Sequence, residues 1–476
     1  MNRNKYITTT LPYINSKPHI GHALEFIQAD ALKRYFESAG YNVFLNVGVD
    51  EHGSKVYLKS QELGIETQEY CNQQAEQWIE FCKKFNISYD NFYRTTNIDH
   101  KNRVQKFWVD CVERGDIYKS KYKGKYCIGC ESFKVDKDLV NGKCSDHDTV
   151  PVELDEENWF FRSTKYKQHL LDWLSSSPDF LKPSFKITEL VNLINESEDI
   201  SISRSKTSVP WGVPVPGDET QTIYVWFEAL LNYIFALEYN MPEKLADSFW
   251  SDSLQICGPD NIRFQGSIFQ AFLASASKSH TSQLLVHGTV LGADGKKMSK
   301  TLGNGVDPIE QIEKYGIDAV RYYALAGIST FYNSSWDEKE LAMMCNNDLA
   351  DSFGNLFARV MHLRSTKGFS TFVASGQFTE HVVESVAAIE KSWKSLEINT
   401  AIKQILELLS FGNKYMNERE PWKNPSTERE TLDNLYSLLL NAVILLNPVV
   451  PNMCVKAREA LKKKEKVILF EKIKIG

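Results

Sequence analysis

His19-Ile20-Gly21-His22 near the start of the chain and Lys297-Met298-Ser299-Lys300 past its middle have residue types and spacing that suit a nucleoside triphosphate. The two imidazoles flank a glycine after a strand-like run, at the start of a helical one. A helix N-terminus offers unpaired backbone N–H groups and a positive dipole end, so it favours phosphate. His19 and His22 can donate to α-phosphate oxygens as charge grows in an in-line displacement. Gly21 leaves room for a flat base against its backbone. Lys297 and Lys300 follow the turn-forming Gly292-Ala293-Asp294-Gly295. A loop of this kind can close over a triphosphate and open for product, its lysines neutralising the β- and γ-phosphates. Idle loop histidines and an exposed basic turn are the bland alternatives, and the presence of both strings in one chain argues against them.

A second constellation is Cys127-X-X-Cys130 followed by Cys144-X-X-His147, with residues 131–143 between the pairs. Three thiolates and one imidazole on two close pairs can close a tetrahedron around zinc. With all four positions filled no water site remains, so the expected role is structural, supplying folding energy to the knuckle. Paired disulfides fit poorly, because only three cysteines are present there. A carboxylate, Asp50, closes the strand-like run before Glu51-His52-Gly53. It suits an α-ammonium group, or alternatively the N-cap of the next helix.

These groups need a frame. Residues 5–14 read as a buried strand, 21–38 as a helix with Leu24, Ile27, Ala31 and Tyr35 on its apolar face, and 43–49 as a second strand. Such a β-α-β unit implies a parallel sheet, whose ligands sit at the carboxyl ends of the strands. Residues 1–115 form the first half of this α/β domain and 116–216 an insertion carrying the Cys/His knuckle. Residues 217–305 form the second half. There 222–227 and 284–291 read as strands, with an aromatic surface of Tyr224, Trp226, Ala229 and Tyr233 that a flexible thioether could pack against. After a connecting segment at 306–340, apolar residues step by three and four through 341–476, the pattern of a bundle of four or five helices. Asn355 and Arg359 share a helix face there, and Trp422 follows Pro421 at the end of another helix. Arg and Trp can stack on unpaired bases, and Asn can read a base edge.

The chain has 476 residues, 42% hydrophobic and 12% aromatic, which points to several folded domains. Its net charge of −6, from 55 basic and 61 acidic residues, excludes an overall basic coat but not a local basic groove for RNA. No apolar stretch reaches signal-peptide or membrane length. Nine cysteines, an odd number, suit a reducing compartment. A cytoplasmic protein without membrane contact is expected.

The two strings, in this order, resemble the signature of class I aminoacyl-tRNA synthetases. Thr10-Leu11-Pro12-Tyr13, Asp50-Glu51-His52-Gly53, the three-Cys-one-His knuckle and Tyr224-Val225-Trp226-Phe227 add a resemblance to methionyl-tRNA synthetase of the single-zinc bacterial and organellar type. It runs over about residues 6 to 460. It implies a Rossmann-type catalytic domain, a zinc-bearing insertion and an anticodon-binding helical bundle. By resemblance, His19, Gly21, His22, Lys297 and Lys300 bind ATP with magnesium, and the two histidines and two lysines are catalytic. Leu11, Tyr13, Trp226, Ala229, Tyr233 and Gln265 line the methionine pocket and Asp50 holds the amino group. Cys127, Cys130, Cys144 and His147 hold one zinc. Asn355, Arg359 and Trp422 read the anticodon of methionine tRNA, the initiator included. The end of the chain soon after the bundle implies a monomer. Departures from the family pattern stand at Pro259, Gln265, Phe269-Gln270 and Glu228. They leave open a paralogue with altered amino-acid specificity, or a non-catalytic tRNA-binding one.

Overall fold

The computed structural model describes the chain except residues 1–2, 16, 128–131, 135–138, 145–148, 299–303, 370, 375 and 475–476. Strand β1 (Arg3–Thr8) leads into helix α1 (Ile20–Ser38), and the chain returns as β2 (Tyr41–Val49). Helix α2 (Thr67–Lys84), strand β3 (Asn91–Arg94) and helix α3 (Ile98–Glu113) complete the first half. Two long strands, β4 (Ile117–Cys127) and β5 (Val152–Phe161), pair antiparallel from Ile117↔Phe161 to Tyr126↔Val152. Helix α4 (Lys167–Ser176) and strand β6 (Leu181–Lys182) follow, then β7 (Asp218–Ile223) and helices α5 (Val225–Leu230) and α6 (Asn232–Asn240). Strand β8 (Ser253–Cys257) runs through a π-helical turn at Phe264–Ile268 into α7 (Phe269–Ser275), ahead of β9 (Gln283–Val286).

The main sheet has the order β3-β2-β1-β8-β9-β6, and every pairing is parallel. The order reverses between β1 and β8, where an open α/β sheet binds its ligand at the carboxyl crest. The strands are buried on both faces and read as near-continuous apolar runs, as parallel strands must. Gly48 in β2 meets β3 so closely that a Cβ there would lie 2.1 Å from the Tyr93 carbonyl oxygen.

The C-terminal part is helical. Helix α8 (Ile317–Ala326) connects to α9 (Glu338–Met344), which continues through a π-helical stretch into α10 (Asn355–Thr366). Helices α11 (Gly376–Lys394), α12 (Ile398–Arg419), α13 (Pro425–Leu446) and α14 (Pro451–Lys463) complete the bundle. One buried ion pair ties it to the sheet domain. Arg321 of α8 meets Asp30 of α1 at 2.6 Å and donates to the carbonyls of Phe85, Pro448 and Val449. Burial pushes the Asp30 carboxyl up, but Arg321 and Arg34 bring it below the ordinary carboxylate range.

Three strand expectations need correction. Residues 5–14 are not one strand, because β1 stops at Thr8. Pro12 has no N–H to give a ladder, and Tyr13 instead forms a single bridge to Asp50. Residues 222–227 divide: β7 ends at Ile223 and Trp226 and Phe227 belong to α5. A fully apolar aromatic run carries no period that separates strand from helix. The strand expected at 284–291 breaks at His287-Gly288, and Val290–Leu291 pairs with Ser334–Ser335. Gly288 lies against backbone at Tyr332, where a Cβ would sit 2.0 Å from the carbonyl oxygen.

Candidate active site

His19 is the N-cap of α1, and its side chain builds the helix start. Its Nδ1 accepts from the backbone N–H groups of Gly21 (3.2 Å) and His22 (3.4 Å). His22 Nδ1 accepts from the His19 N–H at 3.3 Å, which completes a reciprocal capping box. The two rings stack with centroids 3.6 Å apart, and Trp78 of α2 meets the His22 ring edge-on. Gly21 makes room for this stack, since a Cβ there would press on the His19 ring at 3.1 Å. Burial lowers the pKa of both rings, and His19 and His287 push His22 further down. Neutral imidazoles whose Nδ1 atoms accept backbone N–H must carry their hydrogen on Nε2. Each ring therefore keeps one Nε2–H donor beyond those used by the cap.

A second line of contacts crosses the crest. Thr10 N–H donates to Glu25 Oε1 at 2.6 Å, and the other Glu25 oxygen meets His287 Nε2 at 3.2 Å. His287 ends β9, so this pair joins α1 to the far half of the sheet. On the lysine loop, Lys297 bridges to Leu291, and its ammonium lies 3.2 Å from Asp260 in the turn after β8. Both side chains are exposed, so solvent weakens this ion pair. The loop base is thus carried to the crest, at the switch point that α1 enters. Lys300 lies outside the described residues.

Asp50 is buried at the end of β2, with Thr95 Oγ1 at 3.5 Å. It does not cap the following helix, whose N-cap is Gly53. Leu11, Ala229, Tyr233 and Gln265 are buried, and Tyr13 and Trp226 partly so. Trp226 stacks on Phe264 with ring centroids 3.8 Å apart. Gln265, in the π-helical turn, donates through Nε2 to the Tyr233 hydroxyl at 2.9 Å. Burial holds the Tyr233 phenol far above its ordinary range, so it stays protonated.

Beneath these residues lies a buried cluster that sequence reasoning missed. Glu228 of α5 meets His52 Nδ1 at 2.8 Å and His100 Nε2 at 2.6 Å, and Tyr93 OH meets His100 Nδ1 at 2.9 Å. Burial pushes the Glu228 carboxyl up, but His52 and His100 hold it below its ordinary value. The cluster fastens α5, which carries Trp226 and Ala229, to the Asp50-Glu51-His52 segment and to α3. The only sequence signal was the departure at Glu228.

The metal and anticodon expectations fall elsewhere. Cys127 closes β4, and Cys144 lies on a hairpin whose Asn141-Gly142 turn has φ of +53° and +77°, as a two-residue type I′ turn requires. Both thiols are buried and meet at Thr149: Cys127 Sγ is 3.8 Å from its hydroxyl, and Cys144 N–H donates to its carbonyl at 2.8 Å. Cys130 and His147 lie outside the described residues. In the bundle, the Arg359 guanidinium sits 5.3 Å from the centre of the half-exposed Trp422 ring and donates to Asn417 at 3.2 Å. Asn355 is exposed one turn before it.

Residues 5–148 and 134–361 match the family model for class I tRNA synthetases (M), and 368–472 match that for the anticodon binding domain of methionyl tRNA ligase. A methionine–tRNA ligase from Nostoc sp. is 36% identical over 469 residues, covering 94% of this chain and 88% of its own. The chloroplastic/mitochondrial methionine–tRNA ligase of Arabidopsis thaliana is also 36% identical, covering 94% of this chain and 75% of its own. Among solved structures, Mycobacterium tuberculosis methionyl-tRNA synthetase in complex with methionyl-adenylate superposes with a TM-score of 0.89 at 30% identity, covering 96% of this chain and 94% of its own. With the histidine-capped helix at the switch point of a parallel sheet and a helical bundle behind it, the chain belongs to the methionyl-tRNA synthetase family of class I aminoacyl-tRNA ligases.

Proposed function

We propose that the residues described above divide the work of ATP-dependent methionine–tRNA ligation as follows. The methionine carboxylate attacks the α-phosphate of ATP, giving methionyl-adenylate and pyrophosphate, and the terminal adenosine of methionine tRNA, initiator tRNA included, then takes the acyl group. The observation that carries this reading is the reciprocal cap of His19 and His22, which commits both Nδ1 atoms and leaves two neutral Nε2–H donors at a helix N-terminus. These donors act on the α-phosphate, where charge grows in the transition state. Lys297 and Lys300 act on the β- and γ-phosphates, with magnesium on the same oxygens. No protein nucleophile is needed, so catalysis is positioning and electrostatics. Asp50 receives the amino group, and Leu11, Tyr13, Trp226, Ala229, Tyr233 and Gln265 enclose the side chain.

Cys127, Cys130, Cys144 and His147 hold one structural zinc. Two buried thiols meeting at Thr149 fit that role, and the metal fastens the knuckle without entering the reaction. Asn355, Arg359 and Trp422 read the anticodon, which the Arg359–Trp422 contact supports. Among the described residues no helix is long and apolar enough to cross a membrane; we place the protein in the cytoplasm as a monomer. ATP–pyrophosphate exchange across a panel of amino acids tests the whole assignment. Exchange with methionine above all others is expected, and exchange with none, or best with another amino acid, overturns it.

A further inference from the structure

Gln270 is a fully buried amide one turn beyond the amino-acid pocket, in α7, and it touches none of the residues assigned to chemistry except through a backbone carbonyl. Its four contacts use both ends of the amide. Nε2 donates to the Gln265 carbonyl at 2.8 Å and to Thr281 Oγ1 at 3.0 Å. Oε1 accepts from the Thr281 N–H and from His280 Nδ1, each at 3.2 Å. Outward, His280 Nε2 meets His169 Nε2 of α4 at 3.1 Å. Burial, and then His169, lower the His280 pKa to about 4, so the ring is neutral and can give its Nδ1 hydrogen to Gln270.

Gln265 is the residue this network holds. It sits in the π-helical turn at Phe264–Ile268, where widened backbone spacing costs regular hydrogen bonding and marks functional positions. The Gln270 side chain reaches back to that turn and satisfies the Gln265 carbonyl. The Gln265 amide in turn donates to Tyr233. Its Oε1 is buried and has no partner among the described residues. A buried acceptor without a partner is costly unless a ligand or water meets it. An amide pinned on one side and unpaired on the other is a group set to meet a ligand.

We infer that Gln270 is a positioning residue for amino-acid recognition: it fixes the π-helical turn so that the Gln265 amide orients the Tyr233 hydroxyl toward the methionine side chain. The inference rests on the reading that Gln265 and Tyr233 line the methionine pocket. It gives the Gln270 side chain a task that neither the phosphate groups nor the anticodon bundle shares.

The test is ATP–pyrophosphate exchange on the full chain, with KM for methionine and for ATP measured separately. Gln270→Leu keeps the volume and removes all four contacts. It is expected to raise KM for methionine about tenfold, the scale of one buried hydrogen bond lost, while KM for ATP stays unchanged. Gln270→Glu keeps the acceptor and puts an oxygen against the Gln265 carbonyl, so it should also raise KM for methionine. Thr281→Ser keeps its hydroxyl and should restore the parent KM that Thr281→Val loses. Tyr233→Phe and Gln265→Ala test the underlying pocket: if both leave KM for methionine unchanged, the pocket reading fails. If they raise it while folded Gln270→Glu and Thr281→Val do not, the positioning role fails. Should Gln270→Leu not fold, those two variants decide. Equal loss toward methionine and ATP also overturns the inference, since it would mark a merely structural amide.

Discussion

Replacing His22 by alanine separates the two tasks the ring performs. Its Nδ1 accepts the His19 N–H at 3.3 Å, a capping contact. Its Nε2–H is the donor proposed for the α-phosphate. The cap is shared, because His19 Nδ1 still accepts from the Gly21 and residue-22 N–H groups after the change. Loss of the Nδ1 contact should therefore cost about 0.5 kcal/mol, the low end for a lost cap. Loss of a preorganised donor to developing charge costs about 3 kcal/mol, or roughly a hundredfold in rate. The two figures differ enough to be told apart in one variant. His22→Ala should lower kcat for pyrophosphate exchange about 100-fold and shift the unfolding midpoint by only about 1–2 °C. His22→Asn supplies an acceptor oxygen near the Nδ1 position but no donor at Nε2, so it should regain stability without regaining rate. His22→Gln reaches further and should recover part of the rate. Because burial holds the His22 pKa well below its ordinary value, this ring should add no step to the kcat profile between pH 6 and 8 by order-of-magnitude placement. Exchange by His22→Ala at near the parent rate, or a rate loss that stability restoration repairs, would refute the donor role.

Other outcomes follow from particular contacts. Glu228→Ala leaves His52 and His100 without their shared carboxylate and should destabilise the fold by about 3–5 kcal/mol in chemical denaturation. Arg321→Met strands Asp30 in the interface between sheet domain and bundle, with a loss of similar size, about 3–5 kcal/mol, in the same assay. The His280 pKa of about 4 lies below its ordinary 6.5, so the unfolded chain binds the extra proton in that window. Stability is then lost as pH falls from about 6.5 to about 4, and thermal melts of His280→Gln should show a shallower decline there than the parent. Chelation of the expected zinc, or Cys144→Ser, should increase amide hydrogen exchange in the hairpin while leaving that of the bundle unchanged. Trp422→Ala should raise KM for tRNA by about tenfold, on the scale of one lost base stack, and leave pyrophosphate exchange intact.

What could be read from the chain alone was local chemistry and local pattern. The cap at His19, the α1 face of Leu24, Ile27 and Ala31, and the turn before Lys297 involve residues close in sequence, whose spacing states their geometry. The family resemblance rested on strings of the same short range. Where an apolar run was buried on all sides, as at Tyr224-Val225-Trp226-Phe227, composition could not separate strand from helix, and packing settled it as α5. The contacts that only the tertiary structure decided join residues far apart. Glu228 reaches His52 and His100, Glu25 reaches His287, and Arg321 reaches Asp30. Each is a buried polar group whose desolvation must be met by a partner. Nothing in a sequence pattern states which distant residue that partner is, because the crossing of strands and helices chooses it.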